Sequence, residues 1–365
     1  MSEPLPFLSA LERPFGLNLR LPRVLFGDGC ARELPQELER LGATRPFLVG
    51  TSRGVAALRQ ACPEANSYPA FAGARMHVPV EITEQALVAL RQAKADAIVA
   101  YGGGSAIGLG KALAWRTGLP LLVVPTNYSG SEMTDFYGEK MGDSKRAVRD
   151  DRVLAKVVIY DQGETVGMPM SVTMTSGLNA LAHGVETLYA VDGNPLLATI
   201  AETGIAHLAD ALDVLSRSPT DRTRRAGALF GSWLCAIGLS AVSMGLHHKL
   251  AHIIGGALDL PHAETHAVLL PYVVDFNAPA ALGAVQRLKR ALISDSPALR
   301  LQQLGWAGGT PRSLAALGMG VADIPRIAAL ALEAPYPNPT PLDSEGLVRL
   351  LTRAWRGVPL DNASH

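Results

Sequence analysis

The sequence predicts an α/β N-terminal nucleotide-binding domain with a parallel sheet, followed by an all-α C-terminal domain. Three observations support this fold class. Up to about residue 167, apolar runs of strand length alternate with helical segments, as in parallel sheets covered on both faces. After that point, helical segments follow one another with almost no strands. Finally, the glycine-rich turn Gly102 to Gly104 closes a predicted strand and opens a helix, as phosphate-binding turns do.

The length of 365 residues allows two domains, which we place at 1–167 and 168–365. The net charge of zero gives no reason to expect nucleic acid or an anionic membrane as a partner. Three cysteines without a C-x-x-C pair favour a reducing compartment and no disulfide framework. The first residues lack a basic segment followed by an apolar core, so we predict no signal peptide and a cytoplasmic protein.

In the first domain, apolar runs bounded by turn residues predict the strands, and amphipathic periodicity predicts the helices. The predicted strands lie within 20–29, 45–51, 95–101, 119–126 and 156–161, and the predicted helices at 31–41, 83–94 and 106–115. Thr83 or a near neighbour is the expected N-cap of the second helix, since its hydroxyl can accept a backbone hydrogen bond.

In the second domain, helices are predicted near 171–190, 195–216, 221–257, 279–294, 322–334 and 343–356. The uncharged run Ala226 to Leu246 is long enough to span a bilayer. Its many small residues and the histidines that follow favour instead a helix buried at the centre of the domain. Gly231, Gly238 and Gly245 recur at intervals of seven, which would let neighbouring helices approach closely.

A histidine-rich stretch follows that run. It contains five of the nine histidines in the chain, at positions 247, 248, 252, 262 and 266. His248 and His252 lie four residues apart and share one helix face. His262 follows a proline and is expected in a turn. His247 lies about 100° around the helix from His248. We therefore interpret His247 and His266 as supporting or merely structural residues.

A second polar pair, Asn179 and His183 in SGLNALAHGVE, has the same spacing of four. Two helices that each present such a pair, together with His262, would converge on one site. A site of this kind suits a divalent metal, or a carbonyl oxygen that gains negative charge during a reaction. A single histidine is more often a surface or core residue, but five in one short stretch favour a functional cluster.

Two segments of the first domain are candidates for cofactor binding. They comprise Gly102, Gly103, Gly104 and Ser105 in the first turn, and Thr126, Asn127 and Ser131 in PTNYSGSE. Backbone amides of the glycine turn would approach a pyrophosphate at the helix N-terminus. Alternatively, these segments are a tight turn and a polar loop. A basic run that begins at Lys145 either binds cofactor phosphate or substrate, or forms a solvated face.

The order of these motifs resembles that of the iron-containing alcohol dehydrogenase family, and the resemblance covers nearly the whole chain. Within the family, the chain is most similar to the maleylacetate reductases. Metal-dependent members have Asp where GGGSAIGLGK has Gly108, and an Asp ligand where this chain has Asn179. The segments PHAETHA and PYPNP are further points of similarity.

The resemblance places the family's metal ligands on Asn179, His183, His248 and His262. An amide in place of a carboxylate removes a negative charge, so metal affinity should fall. The resemblance implies a homodimeric reductase that uses NADH or NADPH. Because of the missing carboxylate, it also implies that this reductase does not require a metal. His252 matches a family histidine close to the nicotinamide.

The implied reaction reduces maleylacetate, a 4-oxo-2-enedioate, to 3-oxoadipate. Asn179, His183, His248 and His262 would stabilise negative charge on the ketone oxygen, and His252 would donate a proton. A dianionic substrate needs cations and polar donors. The candidates for these contacts are Asn127, Tyr128, Lys249, Tyr336 and Asn338.

The turn after the second strand, Gly50 to Arg53, carries no acid. An acid there would repel the 2′-phosphate of NADPH, so we expect Thr51 and its neighbours to accept both cofactors. Arg53 either pairs with that phosphate or is an exposed residue at a helix start. Three other functions stay open: a family reductase for another small oxo-acid or aldehyde, with or without metal; a lyase of the related dehydroquinate synthase-like fold; and a non-catalytic NAD-binding protein.

Overall fold

The computed structural model describes residues 14–142 and 144–361, with the side chains of residues 144 and 145 also outside the description. The chain forms two compact units. One, the sheet unit, contains Arg20–Met168 and the later segment Thr220–Leu229. The other, the helical unit, contains the described residues 14–19, Pro169–Pro219 and 230–361.

The sheet unit contains a six-stranded parallel sheet and a separate antiparallel hairpin. The strands are β1 (Arg23–Phe26), β2 (Pro46–Val49), β3 (Ala70–Phe71), β4 (Ala97–Gly102), β5 (Leu121–Pro125), β6 (Phe136–Met141), β7 (Ser144–Arg149) and β8 (Val157–Tyr160). The sheet order is β1-β8-β5-β4-β2-β3, while β6 pairs with β7. The helices are α1 (Leu34–Arg40), α2 (Ser52–Ala61), α3 (Val80–Gln92) and α4 (Gly104–Thr117).

These strands confirm the predicted parallel sheet. Every residue of β2, β5 and β8 is buried, which is why they are continuous apolar runs rather than alternating ones. The expected cap at Thr83 is wrong. Helix α3 begins at Val80, and the buried hydroxyl of Thr83 donates to the carbonyl oxygen of Pro79 at 3.4 Å.

A returning segment of the chain completes the sheet unit. Within Thr220–Leu229, Arg225 is fully buried. Its guanidinium lies 3.3 Å from the hydroxyl of Tyr128 and 3.4 Å from the carbonyl oxygen of Met168. Tyr128 is also fully buried. A long-range polar contact therefore supports the loop that follows β5.

The helical unit confirms the all-α prediction for the second half. Its helices are α5 (Met170–Tyr189), α6 (Pro195–Leu215), α7 (Arg222–Ala241), α8 (Leu246–Ala257), α9 (His262–Asn277), α10 (Leu282–Leu292), α11 (Pro297–Ala307), α12 (Asp323–Leu332) and α13 (Ser344–Arg356). The first residues of α7 belong to the sheet unit. The sequence analysis did not predict α9 or α11, and it placed His262 in a turn, whereas His262 begins α9.

The single helix predicted over 221–257 is wrong. Helix α7 ends at Ala241 and α8 begins at Leu246, with a bend of 89° between them. The connection is held by polar contacts, since both the backbone nitrogen and the hydroxyl of Ser243 donate to the Asp192 carboxylate at 2.8–3.0 Å. No single helix in the described chain is long and apolar enough to cross a membrane. The bent pair passes that test by length and composition alone.

The core of the helical unit contains leucine, isoleucine and valine side chains of α8, α9, α12 and α13. Close helix packing occurs at Gly231 of α7. A Cβ there would lie 2.6 Å from the carbonyl oxygen of Gly204 and from the backbone nitrogen of Leu208, both in α6. The glycine therefore allows the two helix backbones to touch, as its periodic recurrence suggested.

Candidate active site

Three helices of the helical unit supply the candidate active site, and each contributes residues one turn apart. Helix α5 carries Asn179, His183 and Glu186, α8 carries His248 and His252, and α9 carries His262 and His266. Residues three or four apart share a helix face, so each set points to one side. The third pair, on α9, was not predicted because that segment was interpreted as a turn.

Glu186 organises the first turn of α8. One carboxylate oxygen accepts a hydrogen bond from the backbone nitrogen of His247 at 2.8 Å, and the other accepts one from that of Gly245 at 3.1 Å. The second oxygen also lies 2.5 Å from Nδ1 of His248. A helix N-terminus attracts negative charge because its first amides have no partner within the helix. The buried carboxylate therefore fixes both the start of α8 and the orientation of His248.

Glu186 was not among the site residues predicted from the sequence. The residue ends the quoted motif SGLNALAHGVE and follows His183 by three positions, so it shares that helix face. This spacing was a usable signal. Its partner His248, however, lies 62 residues further along the chain.

His183 and His248 are stacked, with ring centroids 5.0 Å apart and an interplanar angle of 26°. Three buried atoms at this place lack a hydrogen-bond partner: Oδ1 of Asn179, Nδ1 of His183 and Nε2 of His248. Buried polar atoms are rarely left unpaired in proteins. These three are therefore suited to a polar group of a bound ligand.

Burial is the main cause that lowers the pKa of His183 well below its usual value near 6.5. The neighbouring imidazoles of His248, His262 and His252 lower it further. His183 therefore stays neutral near pH 7 and would act as a neutral hydrogen-bonding group.

His247 faces a different direction from His248, as predicted. Its Nε2 atom lies 2.7 Å from Nδ1 of His266, and both side chains are fully buried. Burial lowers the pKa of both imidazoles well below 6.5. This neutral pair packs against the site, since the ring of His266 lies 5.0 Å from that of His248.

His252 and His262 are exposed at the open side of the cluster. Their ring centroids are 5.5 Å apart, and the ring of His262 lies 4.4 Å from that of His266. Among the described residues, His252, His262 and His266 form a group whose ring nitrogens lie within 4.8 Å of one another. This group differs from the ligand set implied by the family resemblance.

The family's iron fits that implied set poorly. Asn179 and the imidazoles are uncharged in their ligating forms, whereas ferrous iron favours an anionic ligand in the set. The carboxylate of Glu186 is already engaged by two backbone amides and His248. Asn179 and the imidazoles instead suit, as hydrogen-bonding groups, a substrate oxygen that gains negative charge.

The predicted substrate-binding residues differ in whether their polar groups already have partners within the protein. The ammonium group of Lys249 lies 5.4 Å from the ring centroid of Tyr336. The hydroxyl of Tyr336 is buried without a partner, and burial raises its pKa to about 12. Asn338 exchanges two hydrogen bonds with Asn277, at 2.7 and 3.0 Å. The Asn338 amide is thus already satisfied and is better suited to holding its loop.

Tyr128 is unsuitable as a substrate ligand because its side chain is fully buried against Arg225. Apart from Lys145, the other predicted residues of the sheet unit follow the carboxyl ends of β2, β4 and β5. In parallel α/β sheets, ligands bind at this edge, where neighbouring strands connect in opposite directions. Here that position lies between β2 and β4, because β2 continues to β3 on one side and β4 to β5 on the other.

The glycine turn fits a pyrophosphate. Gly102 has φ of 140°, which side chains rarely adopt, and a Cβ on Gly103 would lie 2.3 Å from Nδ2 of Asn127. No described side chain caps the N-terminus of α4. The first amides of a helix have no acceptor within it, so those of Gly104 and Ser105 are suited to a phosphate. The backbone nitrogen of Thr126 donates to the carbonyl oxygen of Gly102 at 3.1 Å and joins the two predicted cofactor segments.

Several polar side chains of these segments already have local partners. Asn127 accepts a hydrogen bond from the backbone nitrogen of Ser129 at 3.2 Å, and the hydroxyls of Ser129 and Ser131 are 3.4 Å apart. Thr51 caps α2 by accepting from the backbone nitrogen of Gly54 at 3.1 Å. Lys145 lies in β7, and its side chain is outside the described part of the structure.

Comparisons with known proteins agree with this architecture. Residues 22–162 match the family model for iron-containing alcohol dehydrogenase, and residues 173–355 match that for the C-terminal part of the Fe-containing alcohol dehydrogenase family. Maleylacetate reductase 1 of Cupriavidus pinatubonensis is 46% identical over 94% of this chain and 98% of its own length.

Two solved structures are also similar. Maleylacetate reductase from Agrobacterium tumefaciens has a TM-score of 0.91 and 40% identity, covering 95% of this chain and 100% of that one. Maleylacetate reductase from Rhizobium sp. strain MTP-10005 has a TM-score of 0.90 with the same identity and coverage.

The predicted resemblance is confirmed. The chain belongs to the iron-containing alcohol dehydrogenase family and is an oxidoreductase.

Proposed function

We propose that this protein is an NAD(P)H-dependent maleylacetate reductase that works without a metal. The observation that carries the proposal is the set of unpartnered buried atoms on Asn179, His183 and His248, which includes no carboxylate. With the Asn179 amide turned so that its nitrogen faces the ligand, such a set fits an oxygen that becomes negatively charged. Two relatives at 45–46% identity are maleylacetate reductases, which supports maleylacetate as the substrate.

The reaction adds one hydride and one proton across the alkene of the 4-oxo-2-enedioate. A bound reduced nicotinamide would supply the hydride, for which the acceptor is the alkene carbon β to the ketone. The electron pair of the alkene then shifts onto the ketone oxygen and forms an enolate. The α carbon takes up a proton as the enolate collapses, which yields 3-oxoadipate and the oxidised cofactor.

The helical unit would stabilise the enolate. The Asn179 amide and neutral His183 donate hydrogen bonds to the ketone oxygen, and a 180° turn of the amide presents nitrogen instead of oxygen. His248, held through Nδ1 by Glu186, turns Nε2 toward the same group and would donate from it as the imidazolium, whose positive charge the Glu186 carboxylate balances. His262 would complete this set of donors. Donors fixed before the reaction stabilise the transition state more than the ground state.

His252 would supply the proton. It is exposed and shares a helix face with His248, one turn away. Imidazole suits this task because its unperturbed pKa near 6.5 allows it to donate and regain a proton near neutral pH. Lys249 and Tyr336, which lie together, would bind a substrate carboxylate as a cation and a neutral donor.

In the sheet unit, the glycine turn and the loop after β5 would bind the cofactor pyrophosphate and ribose. The amides without a side-chain cap at the start of α4 and the narrow space at Gly103 support this assignment. We also propose a homodimer, which rests on the family resemblance alone and is tested by sedimentation at several concentrations.

The deciding experiment follows the absorbance of NADH and NADPH with maleylacetate, with and without a chelator, and identifies the product as 3-oxoadipate. A panel of small aldehydes and oxo-acids serves as the comparison. Faster turnover of a panel member, or activity that requires added iron or zinc, would contradict the proposal.

A further inference from the structure

We infer that His252, His262 and His266 form a site for a borderline divalent cation such as Zn²⁺, and that its occupation blocks the proposed reduction. The cation would be an inhibitor rather than a cofactor. The blocking step rests on the proposed function, whereas the binding step does not.

The three histidines have the chemistry of an open zinc site. Their ring nitrogens lie within 4.8 Å of one another. Three imidazoles with a fourth position left to water form a common tetrahedral zinc arrangement, with Zn–N distances of about 2.0–2.1 Å. His252 and His262 are exposed, so rotation of their side chains can bring the three nitrogens together around a cation.

His266 provides the fixed member of the set. It is fully buried, and its Nε2 atom has no hydrogen-bond partner. Its other nitrogen, Nδ1, lies 2.7 Å from Nε2 of His247. Metal-binding histidines usually donate their second ring nitrogen to a nearby acceptor, which fixes the ring. Donation from His266 to His247 would leave the Nε2 lone pair directed toward the cation.

The geometry of α9 supports this arrangement. His262 and His266 lie four residues apart, so one face of the first turns of α9 presents both. His252 comes from α8, and its ring lies 5.5 Å from that of His262. A cation would thus join the two helices and occupy His252 and His262, which are the proposed proton donor and one proposed oxyanion donor.

The test begins with chelator-treated protein and measures Zn²⁺ binding by calorimetry and Co²⁺ binding by visible absorption. We expect one ion per chain and a Co²⁺ spectrum typical of a four-coordinate ion with three nitrogen ligands and one water. His266→Asn keeps a polar atom near the Nδ1 position but removes the ligand atom Nε2. It should weaken Zn²⁺ binding by at least ~10²-fold, because even loss of a residue that only supports a ligand costs up to that much.

Three further variants make the result decisive. His252→Asn, at an exposed position, should weaken binding similarly even if the buried replacement impairs folding. His207→Asn removes an exposed histidine of α6 outside the cluster and should leave Zn²⁺ affinity unchanged. His183→Asn tests the ligand set implied by the family. Unchanged affinity in His252→Asn, or loss of binding in His183→Asn alone, would overturn the inference.

The rate assay tests the blocking step. The Zn²⁺ concentration that halves the reduction rate should equal the dissociation constant from calorimetry. Binding without loss of rate would refute the blocking step. If the protein reduced no maleylacetate at all, the proposed function would fail while calorimetry still decided the cation site.

Discussion

Oε2 of Glu186 lies 2.5 Å from Nδ1 of His248, although the two residues belong to different helices. The same carboxylate holds the first amides of α8. One buried side chain thus determines where the helix begins and which nitrogen of His248 is left for a ligand.

Replacing Glu186 by Gln should lower kcat by ~10²-fold, the usual scale for a group that supports proton transfer or oxyanion stabilisation. Gln keeps an acceptor but loses the negative charge that interacts with His248. The measurement is the pH dependence of kcat, whose shape should change as well. The exposed Glu345 of α13 offers a matched control, because Glu345→Gln should leave the profile unaltered. A Glu186→Gln profile that coincided with the unmodified protein's would exclude the positioning role.

His248→Ala and His252→Ala should each lower kcat by ~10²-fold or more. His247→Ala should affect kcat far less. Because His247 is buried and bonded to His266, its loss should instead lower the free energy of unfolding by about 1–3 kcal/mol. Steady-state kinetics and thermal melting separate the two effects. Equal damage to kcat in His247→Ala and His252→Ala, at matched stability, would show that the pocket-facing pair is wrongly assigned.

Activity should survive removal of metal. Asn179 and its histidine neighbours lack an anionic ligand, so purified protein is expected to retain its rate after chelation and dialysis. Asn179→Asp should raise the affinity for Fe²⁺ or Zn²⁺, measured by calorimetry. Stoichiometric iron or zinc that leaves together with activity would refute metal independence.

Both NADH and NADPH should serve as cofactors. The turn after β2 has no acid, its Thr51 caps α2, and Arg53 is exposed beside it. A preference for NADH above about a thousandfold, roughly 4 kcal/mol, would mean that another group excludes the 2′-phosphate. Arg53→Ala should raise KM for NADPH more than for NADH if Arg53 pairs with that phosphate, and equal changes would argue against the pairing.

Stability should fall as the solution becomes mildly acidic. Burial lowers the pKa of His183, His247 and His266 well below 6.5, while the unfolded chain titrates near that value. Below pH ~6.5 the unfolded state therefore binds more protons than the folded state, and the free energy of unfolding decreases. Each histidine contributes a slope of up to ~1.4 kcal/mol per pH unit. Calorimetry of chelator-treated protein between pH ~7.5 and ~5.5 measures this loss.

The double variant His247→Asn/His266→Asn should show a smaller decrease in Tm over that range. A Tm that is independent of pH between those limits would contradict neutral burial of the three imidazoles.

The parallel strands were predictable because a strand covered on both faces must be an apolar run. Helix α9 was not, because prolines at 261 and 271 favour a turn and an interruption. The break before α8 was also missed. The break depends on the contact of Asp192 with Ser243 and on that of Glu186 with Gly245. In each pair the two residues are more than fifty positions apart in the sequence, so no local pattern indicates the break.

The candidate site was predicted wherever residues four apart shared a helix, as with Asn179 and His183 or His248 and His252. Spacing cannot show which side chains from different helices meet. The His247–His266 bond and the gathering of His252 with His266 therefore emerge only from the fold.

The buried contact between Arg225 and Tyr128 bears on whether the sheet unit can exist alone. A polypeptide cut at Met168 would contain every strand but would lack the segment Thr220–Leu229. The hydroxyl of Tyr128 would then lose its charged partner, and the space filled by the guanidinium would open to water. The sheet unit is therefore discontinuous in the chain, and a nucleotide-binding fragment would need the later segment joined to it in order to fold with its loop after β5 in place.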